Sequence, residues 1–306
     1  MAKQPYTKPP LPVQEQINLL KSRGLRIPDE PKAIRYFQNI SYYRLSGYMY
    51  PFLADVKQHR YKEGAAFEDI FNLYRFDREL RLLVFSAIEK IEIAFRARII
   101  NQYSTVPHNP FWYTDSANFA DPKKHAGFLN TVTAYISRSN DVFIKHFYTT
   151  YSDPWPPIWV LFEILPMGQL SILYSITANS PARKAIADYF GVKAPVLTAW
   201  IHTLVYVRNI CAHHARLWNK ELRVPARLPK KTANKWLAAR NISGRKAYIV
   251  LAIIIYLLDT ITPQHGFRQE IKDLMAKYPK TDRAAMGFPQ DWLADPFWVQ
   301  AEKGGA

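Results

Sequence analysis

The sequence predicts an all-α protein. Apolar side chains recur at helical spacing over residues 67–103 without an interrupting Gly or Pro. Runs in which apolar and polar residues alternate, the pattern of a half-buried strand, are few. With 306 residues and an apolar content of 48%, the chain is long enough to bury a substantial core in one or two packed units.

The N-terminal part of the chain predicts a lead-in followed by three short helices. Residues 1–11 are rich in Pro and Lys, which is typical of a flexible, extended segment. Apolar residues at helical spacing predict a first helix over 12–24, which Gly24 ends, and a second over 29–37. The aromatic-rich stretch 40–52 predicts a third helix that leads into a loop.

The longest predicted helix spans 67–103 and is ended by Pro107 and Pro110. Its apolar face is formed by Ile70, Leu73, Tyr74, Leu80, Leu83, Val84, Ala87, Ile88, Ile91, Phe95 and Ile99. The other face is predicted to be a mixed-charge surface made by Arg75, Asp77, Arg78, Glu79, Arg81, Glu89, Lys90, Glu92, Arg96 and Arg98.

The second half of the chain predicts further helices separated by Pro and Gly. One or two helices fall within 119–151, and the Pro-rich turn 154–157 precedes a helix over 158–165. Ser180 followed by Pro181 fits a cap and the first position of a helix. The remaining predicted helices are 168–177, 180–190, 196–216, 234–240, 247–258 and 267–278.

The charge balance indicates an anionic partner. Lys and Arg number 41 against 25 Asp and Glu, a formal net charge of +16. Such an excess favours RNA, DNA or an anionic membrane surface. The basic residues are spread along the chain, which predicts a broad basic surface, and part of it is interpreted equally well as an ordinary solvated face.

The single cysteine, Cys211, excludes an internal disulfide and a cysteine-based zinc site and fits a reducing compartment. The N-terminus lacks the apolar stretch of a signal peptide. The longest apolar run, 247–258, is shorter than the roughly 18 residues that a spanning helix needs. We therefore expect a cytoplasmic protein with a buried core helix at 247–258 and no membrane association.

Polar groups capable of chemistry are concentrated in residues 208–219. On an ideal helix Asn209 and His213 share a face, while Arg208 lies about 140° round and about 7.5 Å along the axis from His213. A long guanidinium bridges that gap, particularly if the helix loosens near Ala212. A histidine that moves protons and an arginine that stabilises phosphate charge suit RNA cleavage without a metal.

This arrangement resembles the Arg-polar-x-x-x-His signature of the HEPN superfamily, and the whole chain is similar to the Abi-like (AbiD/AbiF) family of phage-defence proteins. The motifs that carry the similarity are, in order, ISYYRLSGY at 40–48, YRFDRELR at 74–81, IEKIE at 88–92, FWY at 111–113 and RNICAHHARLWN at 208–219. Several motifs in order are far more specific than one Arg-x4-His.

The resemblance implies a HEPN-like helical bundle over 12–230, with a C-terminal helical extension over 231–306. It also implies a metal-independent endoribonuclease that acts as a toxin-like effector of abortive infection. In this superfamily two units commonly pair, and only one motif is visible here, so a homodimer is expected. RNA is the expected substrate, and a small structured non-coding RNA, as in a toxin-antitoxin pair, is a further expected partner.

The candidate catalytic residues are Arg208, Asn209 and His213, and each has a structural alternative. The acid or base is His213 by the motif spacing, with His214 as the other choice. Arg208 binds the phosphate, or it holds a helix end or pairs with a glutamate of the 67–103 helix. Cys211 lies on a face that is predicted to be buried and is interpreted as a packing residue.

Supporting roles are weaker predictions. Glu89, Glu92 and Arg96 form a local ion-pair ladder, the favoured alternative, or one glutamate orients the motif. Residues that either stack on and bind RNA or simply pack are Tyr42, Tyr43, Arg44, Arg216 and Trp218.

No metal or cofactor is expected. His213 and His214 are adjacent and point apart on a helix, and no third ligand lies at a suitable spacing. A phosphate-cradling Gly-rich loop is absent. Two other functions stay open: a non-catalytic RNA-binding module that holds a structured small RNA, and a membrane-active effector that uses the 247–258 helix.

Overall fold

The all-α prediction is confirmed by a computed structural model of the chain. The structure describes residues 5–7, 9–105, 108–239 and 241–299. It is 62% helical, with one two-stranded sheet of a few residues in the described ranges. Of the predicted lead-in 1–11, residues 1–4 and 8 lie outside the described residues, and the others have no regular structure.

The chain divides into two compact units. The first consists of residues 1–80 and 274–281, and the second of residues 81–273 and 282–306. The division falls within two helices, α4 and α12, each of which contributes residues to both units. The domain limits drawn from the sequence, 12–230 and 231–306, stay a prediction.

The first unit contains three short helices, a hairpin and the start of a long helix. The elements are α1 (Val13–Ser22), α2 (Glu30–Ile40), α3 (Tyr42–Met49), β1 (Leu53–Asp55), β2 (Arg60–Tyr61) and the first turns of α4 (Phe67–Ile100). The Asp29 carboxylate caps α2 by accepting from the Lys32 amide at 2.9 Å, which satisfies an orphan donor of the first turn.

Buried polar and aromatic contacts hold the first unit together. The Tyr48 hydroxyl donates to Oδ2 of Asp77 at 2.6 Å, and Asp77 is fully buried. The ring of Tyr36 stacks on that of Phe71 with centroids 3.7 Å apart. Asp77 was predicted on the exposed charged face of the long helix, and that prediction is wrong: its carboxylate is a core group with a hydroxyl partner.

The second unit contains most of the helices. They are the remainder of α4, α5 (Pro122–Arg138), α6 (Val142–Thr150), α7 (Ile158–Ile164), α8 (Met167–Ile176), α9 (Pro181–Tyr189), α10 (Ala194–Ala212), α11 (Ala247–Ile261) and the start of α12 (Phe267–Lys277). The Ser180 hydroxyl accepts from the Arg183 amide at 3.2 Å, so the predicted cap of α9 is confirmed.

The core of the second unit forms around α10, which packs against α8, α9 and α11. Every residue of α11 from Ala247 to Leu258 is buried, which confirms the predicted core helix. Within the described residues, no single helix has the length and apolarity to cross a membrane. The sharply bent pair α9 and α10, at 65°, meets those two criteria only when taken together.

Two predicted helices differ from the observed ones. The helix that carries the motif ends at Ala212 instead of 216. No helix forms over 234–239, because the backbone amides of Ala238 and Ala239 are bound by Oδ2 of Asp295 at 2.9 and 3.3 Å. A side chain distant in sequence thus takes the donors that a helix would use.

Candidate active site

The α10 helix positions the motif. Pro195 stands in its first turn, where the missing amide hydrogen costs nothing. Its apolar face is buried and fixes the helix in the core through Val196, Leu197, Trp200, Ile201, Leu204, Val207, Ile210 and Cys211. Cys211 is therefore a packing residue, as the sequence predicts. The helix delivers its last turn, with Arg208 and Asn209, to the edge of the unit.

The C-terminal end of α10 is a Schellman motif built without glycine. The Ala215 amide donates to the Ile210 carbonyl at 2.9 Å, and the His214 amide donates to the Cys211 carbonyl at 3.0 Å. His214 occupies the left-handed position with φ of 55°, where glycine is usual. This closure ends the helix at Ala212 and turns the chain immediately after His213.

His213 is the capping residue of α10, with φ of −86° and ψ of 11°. Its amide still donates to the Asn209 carbonyl at 3.0 Å, so it keeps the four-residue relation to Asn209 that the sequence predicts. The side chains of Asn209, His213 and His214 are all exposed. Both imidazoles are consequently accessible to a ligand in solvent.

Arg208 is held by an aromatic ring of α4. Its guanidinium carbon lies 5.4 Å from the centroid of the Phe85 ring, within the range of a cation–π attraction. A ring face attracts the cation without using its N–H donors, which remain suited to phosphate oxygens. Within the described part of the chain, Arg208 forms no ion pair with Glu89 or Glu92, the alternative considered from sequence.

Glu92 and Arg96 form the local ladder that the sequence favours. Nη2 of Arg96 lies 3.2 Å from Oε1 of Glu92, and its Nη1 lies 3.4 Å from Oε2 of Glu163. Arg96 also donates to the Leu165 carbonyl at 3.3 Å. These contacts tie α4 to the end of α7, so Arg96 is a structural residue. Glu89 is exposed on the same helix.

The chain after the motif is fixed by Trp218. Its ring is 1% exposed, and its Nε1 donates to the Asp282 carbonyl at 3.2 Å. The structure therefore favours the anchoring role of Trp218 over base stacking, because no ring face is open to solvent. Arg216, two residues earlier, is half-buried.

The aromatic candidates of the first unit divide into packed and exposed residues. The Tyr42 ring lies 6.0 Å from that of Phe37 and is half-buried. Tyr43 is 89% exposed, and Arg44 is also exposed. Tyr43 and Arg44 are the two whose exposure suits the predicted contact with unpaired bases.

Arg81 and Phe85, both in the second unit, lie on one face of α4. Neither was assigned to the site from the sequence. Phe85 carries the contact with Arg208. Arg81, one turn earlier, is only 6% exposed, although its charge predicted a solvated position. A charged residue buried in the turn next to Phe85 is typical of a functional or organising group. In the sequence, the signal for Arg81 is its spacing of four residues from Phe85, the residue that contacts Arg208.

Metal ligands do not cluster in the part of the chain that the structure describes: no group of three or more His, Cys, Asp or Glu is close enough to hold an ion. The side chains of the candidate site itself offer two kinds of chemistry. An exposed imidazole moves protons, and a guanidinium supported by a ring binds an anion.

Fold and site define an all-α protein whose Arg-x4-His motif closes a core helix. A family model described as Abi-like protein matches residues 35–219, more than half of the chain. The chain belongs to this Abi-like family, as its motifs predict, and membership suggests a role in abortive infection. Neither a curated protein nor a solved structure matches the chain.

Proposed function

We propose that this protein is a metal-independent endoribonuclease of the HEPN type that acts as a toxin-like effector of abortive infection. The observation that supports the proposal best is the pairing of an aromatic-supported Arg208 with an exposed His213 at the end of one helix. The net charge of +16 supports RNA as the ligand.

The proposed reaction is a transesterification within RNA. A histidine base, His213 or His214, removes the proton of a 2′-hydroxyl, and that oxygen attacks the adjacent phosphorus. The bond from phosphorus to the 5′ oxygen breaks, and a protonated histidine donates to the leaving oxygen. Arg208 stabilises the charge that develops on the phosphate, and Asn209 orients the imidazole or the phosphate. The products carry cyclic phosphate and 5′-hydroxyl ends.

A homodimer is part of this proposal. One Arg-x4-His motif is present per chain, and a second copy would supply a second histidine as the acid to the first one's base. Co-expressing wild-type and His213→Ala chains tests it. If both histidines serve one site, mixed dimers are inactive and cleavage falls as the square of the wild-type fraction, whereas independent sites lose cleavage only in proportion to that fraction.

The second candidate function is a non-catalytic module that holds a structured small RNA. The basic character of the chain favours it as much as it favours a nuclease. In that case Arg208 and His213 only bind a phosphate, and His213→Ala leaves any growth arrest intact.

The experiment that separates the two functions measures RNA integrity and growth after induction of matched variants. Arg208→Ala and His213→Ala remove the proposed chemistry, and His202→Ala removes another exposed histidine of the same helix. The nuclease proposal expects RNA fragments with wild type and His202→Ala but not with the other two. Growth arrest by all four proteins without fragments would support the binding module.

A further inference from the structure

More than half of the chain's net charge lies in one segment. Residues 216–246, here called the basic strap, contain ten Lys and Arg and one Glu, a net of +9 of the chain's +16. Six of the basic side chains are exposed: Arg223, Arg227, Lys230, Lys231, Lys235 and Arg245. The other Lys and Arg are spread along the chain, as the sequence analysis describes, but their excess over Asp and Glu is largest in this segment.

The strap has no helix or strand in its described residues, yet backbone bonds order it. The Leu222 amide donates to the Arg245 carbonyl, and the Ala226 amide donates to the Gly244 carbonyl, both at 2.8 Å. These bonds pair the two limbs of the strap. Gly244 is required at the crossing, because an added Cβ would lie 2.6 Å from the Ala226 oxygen.

The tip of the strap is attached to the core of the second unit. The indole of Trp200 on α10 donates to the Arg227 carbonyl at 2.8 Å. The ring of Trp236 stacks on that of Trp200 with centroids 5.1 Å apart. The exposed cations are therefore presented from a fixed backbone, unlike those of a disordered basic arm.

The strap begins beside the motif. Arg216, its first residue, follows His213 by three residues, at most about 11 Å of extended chain. Nζ of Lys246, at the other end of the strap, lies 3.4 Å from Oδ1 of Asn219. Both limbs therefore start close to the turn that follows His213.

We propose that the basic strap binds the phosphate backbone of RNA and leads the strand to or from the Arg208–His213 motif. This inference rests on the proposed role in RNA chemistry and adds the surface along which the substrate lies. Bonds within the strap and to Trp200 order the backbone that carries these exposed cationic residues, which suits contact with successive phosphates without base recognition.

An RNA partner fits the strap better than a membrane does. An amphipathic segment that binds a lipid surface buries an apolar face in addition to its electrostatic attraction to anionic lipids. In the strap Leu217, Leu222, Leu237 and Ile242 are buried, and Leu228 is 40% exposed. The outer surface is therefore charged with little apolar area to insert.

The test is RNA binding by full-length protein with the cations of the strap tip reversed. Lys230→Glu, Lys231→Glu and Lys235→Glu are combined, in a His213→Ala background that prevents cleavage. The matched control combines Lys90→Glu, Lys123→Glu and Lys145→Glu, three exposed lysines elsewhere in the second unit. Anisotropy of a labelled 30-nucleotide RNA is recorded over a salt series, and thermal melting confirms that both proteins fold.

The strap triple variant is expected to bind on the order of tenfold or more weakly. Its slope of log affinity against log salt should fall by about 2, since each lost contact with single-stranded RNA contributes about 0.7. The control should bind as the parent does. A Lys→Gln version of the strap triple, which adds no negative charge, should show the same direction of change.

Equal weakening by the two triple variants, or parent-like binding by the strap variants, would overturn the proposal. The proposal would also be overturned, in favour of a membrane partner, if the strap triple variant lost binding to vesicles of phosphatidylserine and phosphatidylcholine but kept the RNA affinity of its parent. Strap-dependent binding without any cleavage by wild type would leave the strap proposal standing and defeat the nuclease. Cleavage by wild type, together with RNA binding that the strap substitutions do not weaken, would support the nuclease and overturn the strap proposal.

Discussion

His214 shows how a single residue shapes the site. A left-handed backbone costs an ordinary side chain about 1–2 kcal/mol, and glycine adopts it freely. This helix nevertheless ends with histidine at the position, φ 55°, in a turn that also fixes His213. Strain of this kind clusters at functional sites, which supports a role for the His214 imidazole beside the motif.

Substitutions at His214 separate backbone strain from side-chain loss. His214→Gly and His214→Ala both delete the imidazole, but only glycine removes the left-handed strain. We expect the glycine variant to be more stable by about 0.5–1 kcal/mol, the strain relief less the entropy cost of glycine. Urea unfolding of the two proteins measures the difference.

The matched control is His213, whose φ is −86°. There alanine should be the more stable of the two variants, since no strain is present for glycine to relieve. The same order of stability at both positions would contradict the account of the helix end.

We expect Phe85 to act as a positioning residue for Arg208, because its ring lies against the guanidinium. Phe85→Leu keeps apolar volume and removes the ring face, so RNA cleavage should fall about two- to fivefold, the equivalent of a cation–π contact. Phe85→Tyr keeps the ring and should restore the rate. A rate that follows the thermal stability of the variants, and not the presence of a ring, would show that Phe85 only packs.

Elements defined by periodicity could be predicted from the sequence. α4, α10 and α11 have long apolar faces, and their starts or centres agree with prediction. The end of α10 could not be predicted, because a Schellman turn without glycine leaves no residue signal at His214. Arg81 was placed on the wrong face because charge was taken as exposure, whereas its helical spacing from the fully buried Asp77 and Val84 fits the buried side.

The candidate site, too, could be predicted only where its residues are close in sequence. Arg208, Asn209 and His213 are close in sequence, so helical geometry relates them directly. Phe85 is more than a hundred residues away, and its contact with Arg208 depends on how α4 and α10 pack. The prediction of a 234–240 helix was wrong for a similar reason, because the Asp295 carboxylate that binds the amides of Ala238 and Ala239 is remote in sequence.

The basic strap depends on glycine at its crossing, and a paired substitution tests that. In Gly244→Ala the new Cβ would meet the Ala226 carbonyl oxygen at 2.6 Å, so we expect a loss of stability of about 1–3 kcal/mol. Gly127 lies inside α5 with nothing within 4 Å of an added Cβ. Gly127→Ala should therefore stabilise by about 0.5–1 kcal/mol.

Thermal melting of the two alanine variants gives the comparison directly. Opposite signs support an ordered strap with a required close approach. A strap that tolerates Gly244→Ala as readily as α5 tolerates Gly127→Ala would not have the pairing described.

At the scale of the whole molecule, an ion cluster links the end of α11 to Phe297. The Asp259 carboxylate accepts from Nε2 of His265 at 2.9 Å and from Nη2 of Arg268 at 2.8 Å. Nε of Arg268 in turn donates to the Phe297 carbonyl at 3.1 Å. Burial alone would raise the pKa of Asp259, but the hydrogen bonds from His265 and Arg268 and the Arg268 charge outweigh burial and lower it.

The lowered pKa predicts how stability depends on pH. The unfolded carboxyl has a pKa of about 3.9. Asp259 therefore stabilises the fold above that pH, and this contribution is lost as the pH falls through its lower folded pKa. The difference in unfolding free energy between wild type and Asp259→Asn should shrink between about pH 5 and pH 2. A difference that stays constant over that range would mean that the carboxylate is not stabilised by its partners.

The distribution of charge is the other whole-molecule feature, and it was only partly predictable. The total of +16 and its preference for an anionic partner follow from composition. More than half of this net charge lies in the basic strap, next to the motif. The importance of that segment is clear only from the structure, which shows that the two limbs of the strap pair and order it. The proposed path of RNA therefore depends on structure more than on composition.

Cleavage of an end-labelled RNA by purified protein in an excess of chelator tests whether the Arg208–His213 motif is catalytic. We predict that wild type and His202→Ala cut the RNA and leave cyclic phosphate ends. Arg208→Ala and His213→Ala should bind the RNA but leave it intact. Cleavage that requires magnesium, leaves other ends, or persists in both variants would contradict the assignment of the Arg208–His213 motif as the catalytic centre.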